Sequence, residues 1–106
     1  ILDVKDLKID SITDNDTQKK LAFDISESNG EFGSKLAIEL PQGSKEYVVV
    51  IKYETSPKAS GLQWLSPEQT AGKEHPYVFS QFEPIAARSF LPCQDTPSVK
   101  TKYQAT

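Results

Sequence analysis

Methionine is absent from this chain of 106 residues, and cysteine, histidine and tryptophan occur once each. The single Cys93 excludes an intrachain disulfide framework and a multi-cysteine zinc site. The single His75 excludes an H-E-x-x-H motif and leaves any histidine-based metal site without partners. No glycine-rich phosphate loop occurs. No run of about 18 apolar residues occurs, so no membrane-spanning helix is predicted, and no signal-peptide pattern opens the chain. Cations are in deficit, with 12 Lys and Arg against 15 Asp and Glu and a net charge of −3. That balance argues against nucleic acid as the main partner, because phosphate binding needs a surplus of cations.

What is present suits one small globular domain: 37% apolar and 25% charged residues. The length allows a single core and falls short of a typical two-domain enzyme. The chain opens inside one apolar alternation, Ile1-Leu2-Asp3-Val4, and closes inside another, Val99-Lys100-Thr101-Lys102-Tyr103. Natural termini more often fray in polar sequence, so the expectation is a piece of a longer protein. A lone cysteine without a leader makes the cytoplasm the expected compartment.

Period-two alternation dominates the first half. Leu7 and Ile9, then Leu21, Phe23 and Ile25, then Leu36, Ile38 and Leu40 alternate with polar neighbours. Tyr47, Val49, Ile51 and Tyr53 form the longest series, and Val48 and Val50 fill its other register. This spacing predicts strands with one buried face, the last of them buried on both. Thr13-Asp14-Asn15-Asp16, Ser28-Asn29-Gly30 and Pro41-Gln42-Gly43 fall where hairpin turns belong. No segment holds a 3.6-residue period over three turns. The predicted fold is mostly β, built of antiparallel sheets.

The character changes at Thr55. One proline precedes residue 56 and six follow it, and the anion excess disappears. Residues 56–76 read as a long loop, a feature that is often functional. Tyr77-Val78-Phe79 reads as a short strand, Ile85–Ser89 as one helical turn with Pro84 at its first position, and Val99–Ala105 as a final strand.

Few residues offer chemistry. Cys93, flanked by Leu91 and Pro92, reads as a small core hydrophobe rather than half of a Cys-His dyad. His75, before Pro76, reads as a loop side chain. Gln81 and Glu83 lie two apart. On an extended backbone they would present an amide and a carboxylate side by side, with Phe82 anchoring the strand from behind, and Phe79 is also read as a core side chain. Arg88 and Asp95 read as an ion pair that holds the proline-rich loop.

Ser80–Pro97 resembles the N-terminal-domain signature of zinc aminopeptidases of the aminopeptidase N type, Q-F-E-P-x-x-A-R-x-x-x-P-C-x-D-x-P. Gln81, Phe82, Glu83, Pro84, Ala87, Arg88, Pro92, Cys93, Asp95 and Pro97 carry the match, and residues 53–97 hold the signature and its approach. Within that family the leukotriene A(4) hydrolase branch is similar from about Tyr53 to Tyr103. That branch carries Gln-Ala where this chain has Glu83-Pro84.

The resemblance implies that residues 1–106 are part of a single N-terminal β domain, saddle-like or sandwich, truncated at both ends within a longer metallopeptidase. It implies a zinc held by a missing catalytic domain and none bound by this chain, so that no catalytic residue lies here. It gives Glu83 the role of binding the amino terminus of a peptide substrate, with Gln81 lining the same cleft. Strand edges left unpaired by truncation would favour self-association. A non-catalytic β module and a parent that also hydrolyses a lipid epoxide stand as the alternatives.

Overall fold

The structure, a computed structural model, describes residues 1–106. Seven strands form three antiparallel sheets: β1 (Leu2–Val4), β2 (Lys8–Asp14), β3 (Phe23–Ile25), β4 (Ser34–Ile38), β5 (Val49–Glu54), β6 (Leu62–Leu65) and β7 (Tyr77–Ser80). The first sheet has the order β1-β4-β3, the second pairs β2 with β5, and the third pairs β6 with β7. No helix is long and apolar enough to cross a membrane.

Two of these sheets share the main core. Val4 from β1, Ile12 from β2 and Leu36 from β4 are buried together, with Phe23, Ile38, Val49 and Ile51 packed against them. The alternation predicted from sequence thus becomes a two-layer packing, with the apolar face of each sheet turned inward. The turns behave as their residues dictate. Asp14 Oδ1 accepts the Asp16 backbone N–H at 2.8 Å and closes the turn that follows β2. Gly33 takes φ +79°, and a Cβ there would sit 2.3 Å from the Val4 carbonyl oxygen, so only glycine lets this loop approach β1.

Three expectations change. Val48 and Val50 are exposed while Val49, Ile51 and Tyr53 are half-buried, so β5 buries one face rather than two. The loop at 56–76 is interrupted by β6 and by a short 3-10 turn, Pro67–Gln69. The final strand does not form: residues 97–106 are exposed and irregular, because no neighbouring strand supplies a hydrogen-bonding ladder.

The molecule is open. Its radius of gyration is 16.2 Å, against about 13 Å for a compact domain of this length. Its surface is 8381 Å², against about 5,900 Å² for a compact protein of this mass. Large apolar side chains remain exposed in both halves, Phe32 and Val48 in the first and Trp64, Tyr77 and Val78 in the second among them.

Leu36 is fully buried at the centre of the shared core. Leu36→Ala is expected to lower the unfolding free energy by about 2–5 kcal/mol, read by chemical denaturation; a loss below about 1 kcal/mol would show that the core lies elsewhere.

Candidate functional site

The hairpin β6–β7 delivers the chain to the segment Gln81–Pro97. Trp64 pairs with Val78 and Leu62 with Ser80. Just beyond the strands, the Gln81 N–H donates to the Gly61 carbonyl at 2.9 Å. The chain then leaves the extended conformation. Phe82 turns inward and stacks on Phe90, with ring centroids 5.3 Å apart. Residues 83–86 form a tight turn closed by the Ala86 N–H donating to the Phe82 carbonyl at 2.8 Å. The Glu83–Pro84 peptide is cis, and Ile85 takes φ +57°. A β-branched residue in the left-handed region costs about 1–3 kcal/mol and persists only where its surroundings hold it.

Two sets of contacts supply that hold. At the base of the turn, the buried Ser89 hydroxyl accepts the Gly61 N–H at 2.8 Å and donates to the Ala86 carbonyl at 2.7 Å. A Cβ on Gly61 would lie 2.7 Å from that same carbonyl oxygen and 2.7 Å from the Phe82 ring, so glycine is required for the approach. Beyond the turn, Arg88 is buried in a short 3-10 helix, Ala87–Ser89. Its Nε and its backbone N–H both donate to Asp95 Oδ2, at 2.9 and 3.0 Å. Its Nη2 donates to the Asp95 carbonyl at 2.8 Å, and its Nη1 to the Phe32 carbonyl at 2.8 Å. Asp3 Oδ2 accepts the Asp95 N–H at 3.0 Å, and Asp3 Oδ1 lies 3.8 Å from Arg88 Nη1.

The ion pair read from sequence is therefore present, and it has a third member. Asp3 stands 92 positions before Asp95, and no periodicity or spacing could have joined them. The loop also closes the outer edge of β1. Asp3 and Cys93 exchange backbone hydrogen bonds, and the Lys5 N–H donates to the Arg88 carbonyl.

Gln81 and Glu83 are both exposed. They do not share a strand face as expected, because β7 ends at Ser80 and the turn begins at Glu83. Phe79, expected to point into the core, is 39% exposed. The Gln81 amide instead donates to the Glu83 backbone carbonyl at 3.4 Å. The Glu83 carboxylate takes part in none of the chain's ion pairs or side-chain hydrogen bonds, which engage only its backbone. Residue Glu83 lines a surface depression of about 340 Å³ with Phe82, Pro84, Asp95, Pro97 and Lys100. The expected helical turn begins two residues late, at Ala87, since the left-handed Ile85 cannot join a helix that Pro84 would start.

Cys93 is half-buried near Asp95, Asp3 and Arg88. Burial, and then the carboxylates of Asp95 and Asp3, push its thiol up to about 11, against a smaller opposing pull from Arg88. Burial also raises the Tyr53 hydroxyl, with Cys93 adding to the effect. His75 is exposed in the loop before β7, and its carbonyl accepts the Thr70 hydroxyl. No three His, Cys, Asp or Glu side chains come together as metal ligands, and a neutral thiol is a poor ligand. The residues of this chain do not fit a zinc ion.

Comparison with known proteins agrees with this architecture. The profile of the Peptidase M1 N-terminal domain matches residues 1–106, and the chain belongs to that family. It is 48% identical to leukotriene A-4 hydrolase of Xenopus laevis, over 97% of this chain and 17% of that protein. It is 43% identical to leucine aminopeptidase 2 of Pyricularia oryzae, with the same coverage of 97% and 17%. The native leukotriene A4 hydrolase of Saccharomyces cerevisiae superposes with a TM-score of 0.85 at 39% identity, over 94% of this chain and 15% of that one. The chain thus spans less than a fifth of the length of these relatives.

A thiol raised to about 11 stays neutral to higher pH than an ordinary one, with about one molecule in a thousand ionised at pH 8. Alkylation of Cys93 by iodoacetamide is expected to be slow at pH 8 and to rise about tenfold per pH unit up to about pH 10. A rate that levels off by pH 9 would contradict the burial and charge environment described.

Proposed function

We propose that this chain is the substrate-anchoring part of the N-terminal domain of a zinc aminopeptidase, with Glu83 holding the free α-ammonium of a peptide. Gln81 braces the turn and lines the same cleft. The zinc and the catalytic groups lie in the parent polypeptide outside these residues. The observation that carries this reading is a carboxylate left free on a turn whose backbone is pinned on both sides. Membership of the M1 family and relatives named leucine aminopeptidase support it.

An exopeptidase must distinguish a terminal ammonium from an internal amide. A carboxylate does so by charge. At roughly 4 Å the contact is worth about 1 kcal/mol in bulk water and about 4 kcal/mol at an effective dielectric of about 20. The exposed Glu83 therefore anchors weakly by itself and strongly once a second wall excludes water. An internal peptide in that closed cleft would leave the carboxylate buried and unpaired, which is the larger source of rejection. The open shape and the uncovered apolar side chains of the second half fit a surface meant to be closed by more of the same protein.

A second reading has one observation in its favour. The identity to a leukotriene A-4 hydrolase is 48%, so the parent could also open a lipid epoxide. The carboxylate of Glu83 favours the peptide reading, since it strengthens ammonium binding and gains nothing from a fatty-acid chain.

In the full-length parent, Glu83→Gln is expected to raise KM for aminoacyl reporter substrates and to lower kcat/KM by about 10- to 100-fold, the range of one lost charge-assisted hydrogen bond. Unchanged efficiency would remove the anchor role. Residues 1–106 alone are expected to cleave no aminoacyl reporter even with added zinc; zinc-dependent cleavage would contradict the division of labour.

A further inference from the structure

We propose that the Arg88–Asp95–Asp3 clasp sets the position of Glu83, which makes Arg88 and Asp95 positioning residues for recognition of the substrate amino terminus. The inference rests on the amine-anchor reading of Glu83 and extends it to two side chains bonded to each other and only 8% and 13% exposed. Its first support is geometric. The depression that Glu83 lines draws its residues from two stretches of chain, one running from Phe82 to Ala87 and the other beginning at Asp95. A single guanidinium joins them, since Arg88 directly follows the first stretch and bonds to Asp95 at the head of the second through Nε, Nη2 and its own backbone N–H. The clasp therefore fixes the spacing of the two stretches that line the depression in which an ammonium would sit.

The second support is burial. Arg88 is 6% exposed, and each of its guanidinium nitrogens donates a hydrogen bond. A cation at that depth is tolerated only when fully bonded, so the side chain has no freedom to shift. Rigidity then passes along the backbone. Ser89 and Ala86 share the hydroxyl bond at Gly61, and Ala86 closes the turn onto Phe82. Glu83 lies within that closed turn. The third support is the choice of arginine. Nε, Nη1 and Nη2 donate in fixed directions to Asp95 Oδ2, the Phe32 carbonyl and the Asp95 carbonyl, a spread of acceptors that one lysine ammonium cannot reproduce.

A clasp that served only stability would lower activity equally whether or not Glu83 is present. A positioning clasp acts through Glu83. The test is a double-mutant cycle in the full-length parent, with Asp95→Asn and Arg88→Lys each made in the native and the Glu83→Gln backgrounds. In the native background each substitution is expected to lower kcat/KM for aminoacyl reporters by about tenfold, mainly through KM. In the Glu83→Gln background the loss is expected to fall below about twofold, because no anchor remains to be misplaced. Equal losses in the two backgrounds, or no loss in the native one, would overturn the inference. Should both variants fail to fold, Asp3→Asn, at a side chain 40% exposed, is read by the same criterion. Full efficiency of Glu83→Gln alone would overturn the anchor reading itself, whereas a costly Glu83→Gln without coupling would overturn only the role of the clasp.

Discussion

Arg88 is buried at the meeting point of three stretches of chain that are far apart in sequence. Its guanidinium bonds to the Phe32 carbonyl in the β3–β4 loop and to Asp95 in the proline-rich segment, and it lies beside Asp3 on β1. An uncompensated cation there would be strongly destabilising. The surrounding backbone is therefore obliged to converge on it, and the irregular segment 81–97 acquires a fixed shape without belonging to any sheet. The two-layer core of Val4, Ile12 and Leu36 supplies the platform. Arg88 supplies the connection between that platform and the turn that presents Glu83.

The consequence for function is a division between rigidity and reach. The backbone around Glu83 is held by hydrogen bonds at Gly61, Ser89 and Ala86, while the carboxylate projects from it into solvent. Ordering a loose backbone on meeting a ligand would cost conformational entropy, and the hydrogen bonds already in place remove that part of the cost. The same openness keeps the contact weak in water. Strength comes only when the surrounding dielectric falls.

Much of this architecture was legible in the sequence. The alternation at 21–25, 36–40 and 47–53 became β3, β4 and β5 because a period of two has one stable use, a sheet with one buried face. The pairing of Arg88 with Asp95 was legible from residue type and proximity along the chain. The role of Asp3 was not, because no local signal marks a partner 92 positions away. The turn at Glu83 was also hidden. Gln81-Phe82-Glu83 reads as an alternation, and only the packing of Phe82 on Phe90 and the left-handed Ile85 break it. Val48 and Val50 read as core residues and lie exposed, since hydrophobicity alone does not say which surface will cover a side chain. The comparisons fix the family, which neither composition nor periodicity could have done.

The span between Asp3 and Asp95 bears on the order of events during synthesis. The first strand leaves the ribosome almost the length of the chain ahead of the residues that seal its outer edge. At about 5–20 residues per second that interval is about 5–20 seconds, far longer than a hairpin takes to form. The two-layer platform can thus mature early from its own nearer contacts. The turn at Glu83 must wait, because the entropy of closing so long a loop is recovered only when Asp95 arrives. A nascent chain of this kind holds a folded scaffold well before it holds the turn that carries Glu83.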